Sequence, residues 1–406
     1  MERFTTPLFA MVLFALLLLL LGGCGAGFSP TSDGQGTGPI SSAAAPKAAG
    51  GADLQPVLIG FKSAPGPSDQ GLIKSAAGKI KYTYHLIPAV AASLPAQAIT
   101  ALSHNPRIEY IEPDAVATAI GDTPPWGVSR VNADDVWTSG NTGAGVKVAV
   151  IDTGIGYNHP DLSANYKGGY DFVNDDNDPM DDEGHGTHVS GIIAAADDNG
   201  NVVGVAPGAA LYGVKVLDSR GSGYYSDIIA GIQWAVTNGM NIASMSLGGT
   251  VGSKSLQKAC DAAYKAEVLV VAAAGNSGRA NGKGDTVSYP AKYASVIAVA
   301  ASDSNNLRAS WSSTGSAVEL TAPGVGILSD KLGGGTVSYS GTSMACPHVS
   351  GCAALVIASG VTKAADIRSR LDSTATDLGA AGRDTWYGYG LVNAQKAVTP
   401  LALASR

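Results

Sequence analysis

Cysteine is scarce in this chain. Of the four in 406 residues, Cys24 closes an apolar leader, which leaves Cys260, Cys346 and Cys352, an odd number for an exported protein. No disulfide framework can be built from them. Cys346 and Cys352 fall six positions apart on a segment with helical pattern, so they point to different faces and stay unpaired, as packed free thiols. Clustered basic charge is also missing. With 26 Lys and Arg against 33 Asp and Glu, the net charge is −7, which argues against a nucleic-acid surface and invites cations. The 53 glycines follow no G-X-Y period, so collagen is excluded and tight turns with close backbone approaches are implied. The apolar run from Leu8 to Leu21 has 14 residues, short of the about 20 that a membrane helix needs.

What is present begins with that run. A short polar start and small residues after Leu21 make 1–24 a secretory signal. Its end, Leu21-Gly22-Gly23-Cys24, resembles a bacterial lipobox, in which Cys24 is lipidated; an ordinary signal cut nearby is the alternative. Residues 25–53 are rich in Gly, Ser, Pro and Ala and are expected to form a flexible tether. Residues 54–120 read as strand (PVLIGF), helix (SDQGLIKSAAG), strand (IKYTYHLI), helix (PAQAITALSH) and strand (RIEYIEPDAVATAI), a small ferredoxin-like α+β unit. From 121 to 406 the pattern changes to continuous apolar runs, VKVAVI, LYGVKV, NIASMS, EVLVVAAAG and SVIAVA, separated by helical stretches. That pattern predicts an α/β domain around a mostly parallel sheet buried on both faces, with its site at the carboxyl ends of the strands.

Three segments carry chemistry. VKVAVIDTG puts Asp152 where a buried strand ends. Asp-Thr-Gly also marks aspartic proteases, but one copy would need a homodimer to make a dyad, and a turn-capping Asp is a third reading. DDEGHGTHVSGIIAAA places His185 ahead of a helix whose Gly186, Ser190, Gly191, Ala194 and Ala195 leave room for something to approach closely. His185 and His188 do not form the HExxH zinc pattern, and His188 and His348 read as packing histidines. SGTSMACPHVSG predicts a helix from about Thr342, with Ser343 among the unpaired N–H groups that can stabilise an anion, Pro347 inside the first turn and Cys346 on the packed side.

DTG followed by HPDL, then HGTHVSG, SMSLGG, AAAGNSG, SYPAKY and SGTSMACPHVSG occur in the order and near the spacing of the subtilisin-like serine proteases, and residues 121 to about 396 resemble that family. The resemblance implies a secreted serine endopeptidase in which Asp152, His185 and Ser343 form the charge-relay triad, with Asn276 and the Ser343 N–H as oxyanion donors. It implies substrate pairing along Gly221, Ser222 and Gly223 and along Ser246, Leu247 and Gly248. Ser288 marks the floor of the specificity pocket. No acid stands at the matched pocket positions, so apolar or aromatic side chains are preferred.

The same resemblance implies structural Ca²⁺, which takes six to eight oxygens. One set is Asp122, Asp161 and Asp198 with the carbonyls of Ala196, Gly200 and Val202; Asp122 replaces the usual amide ligand. A second, in DFVNDDNDPMDDEG, is Asp171, Asp176 and Asp178, for which a solvated acidic loop is the alternative. Residues 54–120 resemble the family's inhibitory propeptide, acting as folding template and intramolecular inhibitor and cut near Ile120-Gly121. If Cys24 carries lipid, the anchor lies on the propeptide side of that cut, and self-processing releases the enzyme. A monomer acting on proteins or peptides, without nucleic acid, is expected. The competing classes are a catalytically silent binding or chaperone-like relative and a metallopeptidase using His185 and His188.

Overall fold

The computed structural model describes residues 54–84, 86–114, 124–198 and 200–399. The leader with Cys24, the tether, the Ile120-Gly121 bond and Asp122 lie outside the described residues. The chain forms two compact units, 1–117 and 118–406.

In the first unit, strands β1 (Leu54–Phe61), β2 (Lys79–Thr83), β3 (Ala89–Pro95) and β4 (Ile108–Pro113) make an antiparallel sheet in the order β2-β3-β1-β4. Helices Pro67–Ser75 and Ala96–Leu102 connect β1 to β2 and β3 to β4, and the core gathers Ile59, Phe61, Ile73, Val90 and Leu94. The ferredoxin-like order is the one expected, with one correction. IKYTYHLI is not a single strand: β2 ends at Thr83, and a further strand, AVAASLP, follows. Its alanines carry weak strand propensity, and it is extended because it pairs on both sides, with β1 and with β2.

The second unit is built on seven parallel strands: β5 (Lys147–Asp152), β6 (Tyr166–Asp171), β7 (Ala210–Lys215), β8 (Ile242–Met245), β9 (Leu269–Ala273), β10 (Val296–Ser302) and β11 (Val318–Pro323), in the order β11-β10-β9-β8-β5-β7-β6. A short antiparallel ribbon, β12 (Ile327–Asp330) with β13 (Thr336–Tyr339), follows. The five apolar runs are β5, β7, β8, β9 and β10. The two edge strands escaped the pattern for different reasons. β6 reads YKGGYD and is half-buried, whereas β11 carries a buried Glu319 held by Arg368.

Period-two alternation splits the core. Val148 and Val150 face helices His185–Ala194 and Thr342–Ala358, while Ala149 and Ile151 face helices Tyr225–Thr237 and Lys254–Lys265. With both faces covered, most central positions are apolar, hence the near-continuous Val, Ile and Ala runs. The chain breaks into polar residues where the strands stop: Asp152 ends β5, Ser246 follows β8, and Asn276 comes shortly after β9. Parallel strands place these ends together on one side of the sheet.

Candidate active site

Asp152 is fully buried. Its Oδ1 accepts from the Thr153 N–H at 2.8 Å and from His185 Nδ1 at 2.7 Å. A carboxylate cannot donate, so the imidazole carries its proton on Nδ1 and leaves Nε2 free to exchange one. Burial works against the cation, but the Asp152 charge and hydrogen bond, followed by the charges of Glu183 and Asp181, outweigh it and raise His185 to about 9. The helix His185–Ala194 starts hard against the strand end. Gly186 donates its N–H to Thr153 Oγ1 at 2.9 Å, and a Cβ on Gly186 would sit 2.1 Å from the Gly154 carbonyl oxygen. This contact, with Asp330 against Gly191, is what the small residues of that helix admit.

The loop bearing His185 is organised by a residue that sequence reading missed. Asp181, buried, accepts from Thr153 Oγ1 (2.8 Å), from the N–H groups of Glu183 (3.0 Å), Gly184 (2.9 Å) and Thr187 (2.9 Å), and from Thr187 Oγ1. It therefore ties the end of β5 to the start of the helix. Its signal was diluted in a run of acids. Lys215, at the end of β7, is buried too and donates to Thr153 O (2.8 Å), Leu217 O (2.9 Å) and Asp182 (2.7 Å).

The helix Thr342–Ala358 does start at Thr342, after Gly341. Pro347, however, lies in its second turn, not its first. A residue with an N–H at 347 would bond the carbonyl of Ser343; proline cannot, and Ser246 Oγ donates to that carbonyl instead, at 2.8 Å. In return Ser343 Oγ donates to the Ser246 carbonyl at 3.1 Å. The hydroxyl of Ser343 thus rests on Ser246 in this state, and not on the imidazole. Asn276 turns its Oδ1 to the N–H and hydroxyl of Thr342, at 2.9 and 3.0 Å. A point just off Gly341, where a Cβ would stand, lies 3.6 Å from both Asn276 Nδ2 and the Ser343 N–H nitrogen. The two donors thus lie near one another, and such a pair can stabilise a developing oxyanion.

A cleft of about 530 Å³ runs past His185 and Glu183, between Gly221–Gly223 and Ser246–Gly248. Within the first edge, Ser222 is used internally: its N–H donates to Asp218 Oδ1 and its carbonyl accepts from the Asp218 N–H. Gly223 packs so tightly that a Cβ would lie 2.0 Å from the Val216 carbonyl oxygen. Ser288 does not line this cleft. It fills the space between Gly248 and Gly275, where an added Cβ would come within 3.0 Å of its Cβ and 2.4 Å of its Oγ respectively.

Of the first calcium set, Asp161 is buried and accepts from the N–H groups of Asn201 (3.0 Å) and Val202 (3.1 Å). A Cβ on Gly200 would be 2.4 Å from Asp161 Oδ1 and 3.0 Å from Asp198 Oδ1, so two carboxylate oxygens meet over a cradle that only glycine leaves open. Oxygen donors around such a cradle, in the loop that also holds Ala196 and Val202, fit Ca²⁺. In the second set, the backbones of Asp171 and Asp176 are bonded to each other. Asp171 is capped by the N–H groups of Val173 and Asn174, Asp176 takes the Asp178 N–H, and Asp178 accepts from the Tyr157 hydroxyl. Each of the three carboxylates thus already accepts at least one hydrogen bond within the protein. His188 and His348 are fully buried and held near 4 by burial, hence neutral; each hydrogen-bonds backbone carbonyls through one nitrogen, while the other has no partner. Cys260, Cys346 and Cys352 are buried free thiols.

The comparisons agree with this geometry. A profile described as the subtilase family matches residues 143–390, and one described as peptidase inhibitor I9 matches residues 62–119. Subtilisin E of Bacillus subtilis is 46% identical over 346 residues, covering 84% of this chain and 89% of the relative. An alkaline protease of Shouchella clausii is 46% identical over 320 residues, 79% and 81% of the two chains. Alkaline elastase YaB of a Bacillus strain is 47% identical over 317 residues, 78% and 81%.

Proposed function

The chain belongs to the subtilase family and is a serine endopeptidase with an inhibitor-type propeptide, and on that premise we propose that Asp152, His185 and Ser343 carry out peptide hydrolysis. The observation that carries the assignment is the 2.7 Å bond from His185 Nδ1 to the buried Asp152, beside a cleft that His185 lines. A substrate laid in that cleft displaces the Ser343 hydroxyl from Ser246 toward the imidazole. His185 then takes the proton as Ser343 Oγ attacks the carbonyl carbon, and Asp152 holds the resulting imidazolium. Asn276 Nδ2 and the Ser343 N–H receive the oxyanion. His185 returns the proton to the leaving amine, and water releases the acyl group by the same steps in reverse.

Gly221, Gly223 and Ser246–Gly248 pair with the substrate backbone, and with no acid at the matched pocket positions the cleft takes an apolar or aromatic side chain. Asp161, Asp198 and their neighbours, with Asp122, would hold Ca²⁺, which would brace the loop after the His185 helix and enter no chemical step. The precursor is exported, tethered by lipid on Cys24, and freed when it cuts itself near Ile120-Gly121.

Labelling with a fluorophosphonate tests the assignment. The label is expected on Ser343 and lost in Ser343→Ala and His185→Ala chains, while minutes of chelation leave it unchanged. Labelling that survives Ser343→Ala refutes the triad; loss on brief chelation favours a metallopeptidase. For release, Ser343→Ala protein should stay membrane-associated at full length, and mature active enzyme found on the membrane would refute the anchor.

A further inference from the structure

We propose that His159, Asp161 and Asp330 form a buried site for a divalent cation of the zinc class, bound by one imidazole nitrogen and two carboxylates. Ligand atoms of the three side chains lie within 4.8 Å of one another, the single such group among the described residues. Asp161 and Asp330 are 0% exposed and His159 is 4% exposed, so water cannot stand in for a ligand freely. The three come from two parts of the fold: His159 caps and Asp161 opens the short helix Pro160–Ser163, and Asp330 ends β12.

The hydrogen bonds decide which atoms face the pocket. His159 Nε2 lies 3.0 Å from the Gly335 carbonyl oxygen, which only accepts, so Nε2 carries the proton and Nδ1 presents a lone pair. A carbonyl on the remote nitrogen is the usual way a metal-binding imidazole is oriented. Nδ1 receives one N–H, from Asp161, at a long 3.3 Å. It stands 3.6 Å from Asp330 Oδ1, too far for a hydrogen bond and too close for two unshielded acceptors. Both oxygens of Asp330 are buried, and among the described residues neither has a partner in hydrogen-bond geometry. Space for that side chain is kept by Gly191, where a Cβ would come within 2.6 Å of Asp330 Oδ2.

Buried carboxylates are found paired or on a metal, and among the described residues no Lys or Arg forms an ion pair with Asp161 or Asp330. A cation bridging Asp330, Asp161 and Nδ1 gives every orphaned acceptor a partner. Nitrogen in the donor set separates this site from the all-oxygen cradle over Gly200, although the two share Asp161. The proposal does not depend on the peptidase assignment.

The test uses the full chain with Ser343→Ala, which stops self-digestion, stripped of metal and then saturated with Ca²⁺. Co²⁺ alone is titrated, followed by visible absorption, elemental analysis and X-ray absorption. One Co²⁺ per chain, with visible bands, an imidazole signature and displacement by Zn²⁺, is expected. Asp330→Asn should weaken Co²⁺ at least about tenfold while Ca²⁺ affinity changes by less than about twofold. Absence of Co²⁺ binding, a coordination shell lacking imidazole, or loss of Ca²⁺ rather than Co²⁺ affinity on Asp330→Asn would each overturn the proposal. Should Asp330→Asn fail to fold, the X-ray absorption spectrum of the chain unaltered at these three positions decides.

Discussion

Pro347 and Ser246 provide a quantitative test of how the nucleophile is held. The carbonyl at position 343 has lost its helical donor to Pro347 and is bonded by Ser246 Oγ at 2.8 Å, from a side chain whose residue is 4% exposed. Ser246→Ala takes that bond away from a part-buried carbonyl, a loss of about 1–3 kcal/mol. In a Pro347→Ala background the restored N–H reaches the same carbonyl from the next turn, and the cost of Ser246→Ala should fall below about 1 kcal/mol. The predicted coupling is therefore about 1–2 kcal/mol between residues 101 apart in sequence. Denaturant unfolding of the four chains of the cycle, all carrying Ser343→Ala so that none digests itself, measures it. The backbone carbonyl under test survives that substitution. Equal costs of Ser246→Ala in both backgrounds would refute the reasoning, because the serine would then not be replacing the missing helical bond.

His185 must be neutral to act as base, and with its value raised to about 9 the neutral fraction grows as pH rises; kcat/KM should climb through the alkaline range and level off above about 9. Glu183→Gln removes one charge favouring the cation and should move that limb down by a few tenths of a pH unit, whereas a limb that stays put or moves up contradicts the electrostatic account. Gly186→Ala drives a Cβ to 2.1 Å from the Gly154 carbonyl oxygen and should cut active-site titre more than folded yield, since it displaces His185 from Asp152. Chelation should lower the melting temperature over hours without changing the initial rate of peptide hydrolysis; an immediate loss of rate would give the metal a chemical role. Burial pushes the Cys260 and Cys346 thiols up to about 12, so a thiol reagent should label none of the three buried cysteines until the protein unfolds.

Much of this molecule was legible before any coordinates. Continuous runs such as VKVAVI determined a parallel sheet covered on both faces, because no other arrangement buries consecutive Val and Ile side chains on opposite sides of a strand. The resemblance carried by the ordered motifs pointed to Asp152, His185, Ser343 and Asn276, and the small residues beside them let a helix press against a strand end, as Gly186 does. Strands without that pattern were not legible. AVAASLP is extended because of its two neighbours, and β11 tolerates Glu319 because Arg368 meets it.

Only the tertiary structure could decide which polar residues have partners. Asp171, Asp176 and Asp178 look like a metal site in sequence and each accepts a hydrogen bond from an N–H or hydroxyl group, whereas Asp330, unremarkable in ILSD, is carried beside His159 and Asp161 without a hydrogen-bond partner among the described residues. Periodicity reports how a side chain faces its own element. Satisfaction of a buried donor or acceptor depends on atoms brought from far along the chain, and no local pattern encodes that meeting.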